Sequence, residues 1–246
     1  MSHSIAFTTP AGTPWTDRTV GELVAERPGR SRVFQSFQID FCCQGARTLG
    51  EACQRVGVSP DSVIEQLEAE AATRETTGPN PAELSPTELV KHIVAIHHAY
   101  LRREFPRLRV MAEKVARVHG SHTPTLLEVW DVYQQLEAEL LIHLEKEEQI
   151  LFPAVTALDS GDSVDLPVDG PIACMMREHE DAGGALVRLR ELTHGYQPPV
   201  DACNTYRALF AGLLDLETDL HRHIHLENSV LFPAAHALAT RNSLAA

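Results

Sequence analysis

Two stretches decide the fold: His143-Leu-Glu-Lys-Glu147-Glu-Gln-Ile-Leu151-Phe152-Pro153 and His223-Ile-His225-Leu-Glu227-Asn-Ser-Val-Leu231-Phe232-Pro233. Both read His-x3-Glu-x3-Leu-Phe-Pro, 80 residues apart, and each ends a long apolar-periodic segment. On an α-helix, positions i and i+4 share one face, so each copy projects an imidazole and a carboxylate side by side. Two such helices packed together aim two His and two Glu into one core. A bundle interior tolerates them only when something compensates their polarity, and a metal pair does so.

The repeat extends outward from the motif. His98 precedes His143 by 45 residues and His179 precedes His223 by 44, the near-equal spacing of an internal duplication. Each half reads as a helical hairpin with a lone His on its first helix and a His-x3-Glu pair on its second. Ser85-Pro86-Thr87-Glu88 caps helix A, which carries Leu89, Val90, Ile93, Val94, Leu101 and Phe105 and stops near His119-Gly120. Pro106 is expected to kink or restart it. Helix B follows Thr123-Pro124 and runs to about Leu151. Residues 159–170 form a linker, helix C runs from near Pro171 to His194-Gly195, and helix D runs from near Pro198-Pro199 to the second Leu-Phe-Pro. The prolines of both Leu-Phe-Pro copies are expected to limit their helices. No strand pattern of useful length interrupts this order. The expected fold is all-α, an up-down-up-down four-helix bundle over residues 86–240.

Ahead of the bundle, residues 1–15 read as a flexible leader and 73–85 as a polar linker rich in Thr, Pro and Gly. Between them, residues 16–72 form a small helical module. Thr19-Val-Gly-Glu22 and Thr48-Leu-Gly-Glu51 have capping-box form, and Ser59-Pro60 offers a cap with Pro at the first helical position. Three or four short helices are expected, with Asp40-Phe-Cys42-Cys43-Gln-Gly45 in a turn.

Composition bounds the partners. The net charge of −13 leaves no basic tract to meet phosphates, which argues against a nucleic-acid partner. No apolar stretch nears the roughly 20 residues that span a bilayer, and the N-terminus lacks a secretion signal. Five cysteines, two of them adjacent, are no disulfide framework, so the expected compartment is the cytoplasm.

The proposed ligand set is His98, His119, His143, Glu147, His179, His223 and Glu227. Five imidazoles and two carboxylates suit iron or manganese, with no thiolate to favour zinc or a cluster. Seven ligands are too many for one ion and right for two that share carboxylates. Periodicity alone leaves His97 and His98 open, and likewise His221, His223 and His225, although only His223 has Glu at i+4. The remaining histidines, His97, His122, His194, His221, His225 and His236, read as surface or satisfied core residues. Cys53, Cys174 and Cys203 fall on predicted helices and read as packing residues.

With these motifs in place, the chain resembles the iron-sulfur cluster repair di-iron proteins, a hemerythrin-like bundle preceded by a small ScdA-type domain that carries Asp-Phe-Cys-Cys-Gln-Gly. The resemblance covers about residues 17 to 238. His-Ile-Val-x3-His at His92 to His98 selects His98 over His97, Arg-Val-His matches at His119, and Glu178-His179-Glu-Asp-Ala-Gly183 matches the family's second-half His. His225 departs from the family, which usually has a small polar residue there. The resemblance implies a non-haem, carboxylate-bridged di-iron centre, with an oxo or hydroxo bridge when oxidised and Glu147 and Glu227 as the bridges. It implies repair of clusters damaged by nitrosative or oxidative stress through iron donation, a repair factor rather than a turnover enzyme, with damaged or apo iron-sulfur proteins as partners. The alternatives are a nitric oxide reductase and a sensor or carrier of nitric oxide or dioxygen at the same centre. Glu139 and Glu178 stand as candidates to hold the ligands or line an iron path. Cys42 and Cys43 stand as candidates to accept iron or undergo thiol redox chemistry, beside the plainer reading that they shape the module. A monomer and a homodimer are both compatible with the sequence.

Overall fold

The computed structural model describes residues 12–71, 80–162, 164 and 167–245. Among these residues there is no strand, only an isolated antiparallel bridge between Thr19 and Thr48, and the fold is all-α. The expected leader lies outside the described residues up to residue 11, and the expected linker does so up to residue 79. Trp15–Asp17 forms a 3-10 turn, with Trp15 packed on the module core. Asn80 caps Pro81–Glu83 and donates from Nδ2 to the carbonyl of Ala25 at 2.7 Å.

The module holds four short helices, α1 (Val20–Glu26), α2 (Arg30–Ser36), α3 (Leu49–Val56) and α4 (Pro60–Ala71). Both expected capping boxes form. The side chains of Thr19 and Thr48 accept from the backbone of Glu22 and Glu51, whose carboxylates accept in return. Gly57 ends α3 at φ +73°, a left-handed conformation that glycine adopts without strain.

The remaining helices are α5 (Pro86–Ile93), α6 (Ala99–His119), α7 (Thr125–Lys146), α8 (Phe152–Ser160), α9 (Asp169–Leu192), α10 (Asn204–Leu226) and α11 (Phe232–Ala245). Three π-helical turns splice them into longer rods: Val94–His98 joins α5 to α6, Glu147–Leu151 joins α7 to α8, and Glu227–Leu231 joins α10 to α11. Two expectations about proline are corrected. Pro106 does not restart its helix. It sits exposed inside α6, where the carbonyl deprived of its N–H partner can face water. Pro153 and Pro233 do not end their helices either. Each lies two residues beyond a π turn, and the chain continues helically to Ser160 and Ala245. The wider turn changes the hydrogen-bond register just where proline has no N–H to offer.

By its contacts the chain divides into two units. One comprises 93–153 and 170–221. Here α6, α7, α9 and α10 share one core, with Leu101, Phe105, Tyr133, Leu140, Leu186, Leu189, Leu213 and Leu220 fully buried. Contacts at two levels, Arg109–Glu137 with His98–Glu148, Arg188–Glu128 with His143–Glu178, and His97–Asp219 with His119–Cys203, run adjacent helices antiparallel, the up-down-up-down order. Two deep ion pairs repeat with the duplication. Arg109 and Arg190 each stand 11 residues after His98 and His179, and reach Glu137 and Glu217, each six residues before His143 and His223.

The other unit comprises 1–92, 154–169 and 222–246. Its core gathers Leu23, Phe34, Phe41, Leu49, Val63 and Leu67 of the module with Ile224 of α10. The backbones of Gly21 and Gly45 meet there, with Gly21 N–H donating to Gly45 O at 2.9 Å. A Cβ on Gly21 would stand 2.7 Å from Ser229 Oγ and 2.9 Å from that carbonyl, so neither glycine has room for a side chain without displacing the other segment.

Candidate metal centre

All three π turns carry residues singled out by the repeat. His98 closes the first, and Glu147 and Glu227 open the other two. His143 and His223 lie one turn earlier, at the ends of α7 and α10. The i,i+4 pairing survives the change of pitch, with His143 Nε2 3.3 Å from Glu147 Oε1 and His223 Nε2 3.0 Å from Glu227 Oε1. π turns recur at functional sites because the inserted residue re-aims side chains at the point where chemistry needs them.

Two groups of potential ligands result. In one, atoms of His98, Glu147, His223 and Glu227 lie within 4.8 Å of one another, and in the other so do atoms of His143, Glu147, His179 and Glu227. Each group has two imidazoles and two carboxylates, and both carboxylates belong to both groups. His98 Nε2 lies 3.4 Å from Glu147 Oε2, and His179 Nε2 lies 3.1 Å from His143 Nε2. All six residues are buried, and Glu147 and Glu227 are wholly inaccessible. Both oxygens of Glu147 lack a hydrogen bond. A buried carboxylate so placed is strongly disfavoured unless a cation compensates it, and six N and O donors facing one another are the donor set of a non-haem iron site.

The outward nitrogens of two imidazoles are tied down. His98 Nδ1 donates to Glu148 Oε1 at 2.7 Å, and Arg102 holds the same oxygen at 2.7 Å. His143 Nδ1 donates to Glu178 Oε2 at 2.8 Å, and Lys146 and Cys174 hold the other oxygen. Burial pushes both carboxyls up, yet both end below the usual range, Glu148 through Arg102 and His98, Glu178 through Lys146, His143 and Cys174. Ionised, they accept only, so each ring carries its proton on Nδ1 and turns the Nε2 lone pair towards Glu147. Glu148→Ala and Glu178→Ala are therefore expected to leave the metal stoichiometry at saturation intact while weakening affinity about 10- to 100-fold. Chelator competition measures this, and affinities equal to the parent's would refute it.

The structure does not bring His119 to these groups. It ends α6, 21 residues and about 31 Å of helix from His98. Its ring packs on Tyr206 at 5.6 Å, and its Nε2 lies 3.5 Å from Cys203 Sγ. Cys203 is exposed just ahead of α10 rather than packed within a helix, Cys174 is half-buried, and Cys53 is buried as expected. Glu139 is exposed and accepts from Gln135. It lines a cavity of about 260 Å³ with His143, Lys146, Glu178 and Asp181. Glu148 was legible only as the neighbour of Glu147. His97, read as a satisfied residue, is buried with Nδ1 2.9 Å from Asp219 Oδ1.

His225 is buried in the core shared with the module, its ring edge-on to Phe41 at 5.7 Å. Burial drives its pKa down to about 4, against a smaller upward pull from the Phe41 backbone, so it is neutral at pH 7. Cys42 and Cys43 form no disulfide, and their sulfurs stand 3.7 Å apart.

Comparison with known proteins gives two family matches. Residues 89–235 match the hemerythrin HHE cation binding domain, and residues 16–71 match ScdA_N, a domain of unknown function (DUF542). Among curated proteins, the chain is 37% identical over 221 residues to the iron-sulfur cluster repair protein YtfE of Pectobacterium carotovorum subsp. carotovorum, covering 90% of this chain and 97% of that one. It is 35% identical over 213 residues to the iron-sulfur cluster repair protein ScdA of Staphylococcus haemolyticus, covering 87% of this chain and 95% of that one. To YtfE of Dickeya chrysanthemi it is 36% identical over 221 residues, covering 90% of this chain and 97% of that protein.

Proposed function

We propose that this chain, which belongs to the hemerythrin-like family of iron-sulfur cluster repair proteins, restores damaged clusters by giving up iron held between its two hairpins. The observation that carries this reading is the pair of buried groups that share both carboxylates, Glu147 and Glu227. On this reading residues 86–240 are the iron-holding domain and 16–72 an accessory domain. His98 and His223 would hold one ion, His143 and His179 the other, and the two glutamates would bridge them. The bound pair would supply ferrous iron as cargo.

The chain's own residues set the terms of release. Four neutral imidazoles against two carboxylates give a less anionic site than an all-carboxylate one, and such a site favours the ferrous state. Glu148 and Glu178 hold His98 and His143 from behind. The cavity beside His143, lined by Glu139, Glu178 and Asp181, offers carboxylates along a way out. No helix among the described residues is long and apolar enough to cross a membrane. None of the five cysteines is in a disulfide, in keeping with a reducing setting.

The test mixes the iron-loaded chain anaerobically with an apo iron-sulfur protein, sulfide and thiol. Recovery of cluster absorbance in the client, matched by loss of iron from the chain, is expected. Recovery no faster than with free ferrous iron at equal concentration would overturn the donor reading.

A further inference from the structure

Outside the bundle, one other set of metal-binding atoms converges among the described residues: Asp40, Cys42 and Cys43, whose donor atoms lie within 4.8 Å of one another. Side chains of successive residues ordinarily point apart, yet here the two sulfurs stand 3.7 Å from each other. The loop is built to hold them so. Asp40 Oδ1 accepts the backbone N–H groups of Cys42 at 3.1 Å, Cys43 at 2.9 Å and Gln44 at 3.4 Å, fixing three successive residues. From the other side Asn228 Nδ2 donates to the Cys42 carbonyl at 3.2 Å. Cys42 Sγ also lies 3.3 Å from Asp40 Oδ1.

We propose that Asp40, Cys42 and Cys43 form a second, mononuclear site that takes one divalent ion; that the ion is ferrous iron in passage to a client rests on the donor reading above. The spacing fits. A tetrahedral ion with metal–sulfur bonds of about 2.3 Å holds its two sulfurs about 3.8 Å apart, whereas a disulfide needs about 2.05 Å. Two thiolates and a carboxylate leave a fourth position open, the arrangement of a site that exchanges its ion rather than locks it in. Cys42 is buried, while Cys43 is half-exposed and Asp40 exposed, so the open side can reach solvent. The hydrogen bond with Cys43, together with burial, pushes the Cys42 thiol well up and keeps it protonated while no cation is present. Binding through both sulfurs as thiolates involves no electron transfer, and any thiol proton is released to solvent as the metal–sulfur bond forms.

Cobalt(II) is the probe, added to the full-length reduced chain without oxygen. Thiolate ligation gives a near-ultraviolet sulfur-to-cobalt charge-transfer band that His and Glu ligation in the bundle does not. The band is expected to saturate at about one cobalt per chain. It should vanish in Cys42→Ser/Cys43→Ser and persist in Glu147→Ala/Glu227→Ala. Because Cys42 belongs to the module core, two milder variants keep the test sound. Cys43→Ser alone, and Asp40→Asn, which retains the oxygen that caps the loop, should each weaken cobalt binding at least tenfold. A wild-type chain with both thiols free and no band overturns the site, as does a band indifferent to all three thiol-site variants. The band without cluster restoration would remove the donor reading alone, and restoration without the band would remove this site alone.

Discussion

Alanine at either Glu147 or Glu227 is expected to strip the chain of nearly all its iron, whereas alanine at His98 or His179 removes about half. The reason is membership: each glutamate belongs to both ligand groups, and each of these two histidines to one. For the parent, purified without oxygen, the expected content is about two irons per chain, as in other bundles of facing carboxylates and imidazoles. Elemental analysis beside circular dichroism separates loss of metal from loss of fold. Equal losses in the Glu and His variants would refute the sharing of carboxylates. Zinc or no metal in the parent would leave the repeated motif a structural device.

The second large effect concerns stability away from the centre. Glu217 is buried, and Arg190 grips its Oε1 through Nε at 2.9 Å and Nη2 at 2.7 Å while lying over the ring of Tyr196. Arg190→Met removes the partner and leaves a carboxylate in the core, a change of about 3–5 kcal/mol. In a chain of this size that corresponds to a melting point lower by roughly 10 °C. Adding Glu217→Met should return most of the loss, because two apolar side chains then replace the pair without stranding a charge. Arg109→Met should cost a similar amount, since it strands Glu137, a carboxylate as buried as Glu217. Thermal melts of the three variants beside the parent measure this. A double variant no more stable than Arg190→Met would show that the pair contributes more than charge compensation.

What could be read from the sequence was local or repeated. Thr19, Thr48 and Ser85 announce their helices because a cap and its reciprocal Glu act within four residues. The six residues that the fold gathers stand out because the same spacing occurs twice. His119 also carried its own warning, since the second half has no counterpart to it, and a helix running on from His98 takes it to the far end. The π turns were not legible, because an extra residue in a helix leaves the His-x3-Glu spacing untouched and changes only the pitch beyond it. Arg109–Glu137 and Arg190–Glu217 were written in the repeat at matching offsets, but as exposed-looking charges on polar faces they gave no sign of pairing inward. The burial of His225 against Phe41 depends on two segments about 180 residues apart, beyond the reach of any periodicity.

The halves of the duplication have also parted ways at one position. The residue after Glu147 is Glu148, which holds a histidine of the centre, and the residue after Glu227 is Asn228, which holds the Cys42 backbone. An equivalent place thus serves the centre in one hairpin and the accessory module in the other.

Each π turn is one residue longer than the α-helical turn it replaces, and in a helix one residue is about 100° of rotation. The three turns therefore act as phase shifters: they let the segment before and the segment after keep separate apolar stripes, each facing its own surroundings. Such a chain should forgive many substitutions along its rods and few changes of length. Dropping a single exposed residue between Glu147 and Leu151, such as Gln149, would leave composition and charge almost untouched and yet turn α8 by more than a quarter of a revolution. In this fold, counting residues matters more than choosing them.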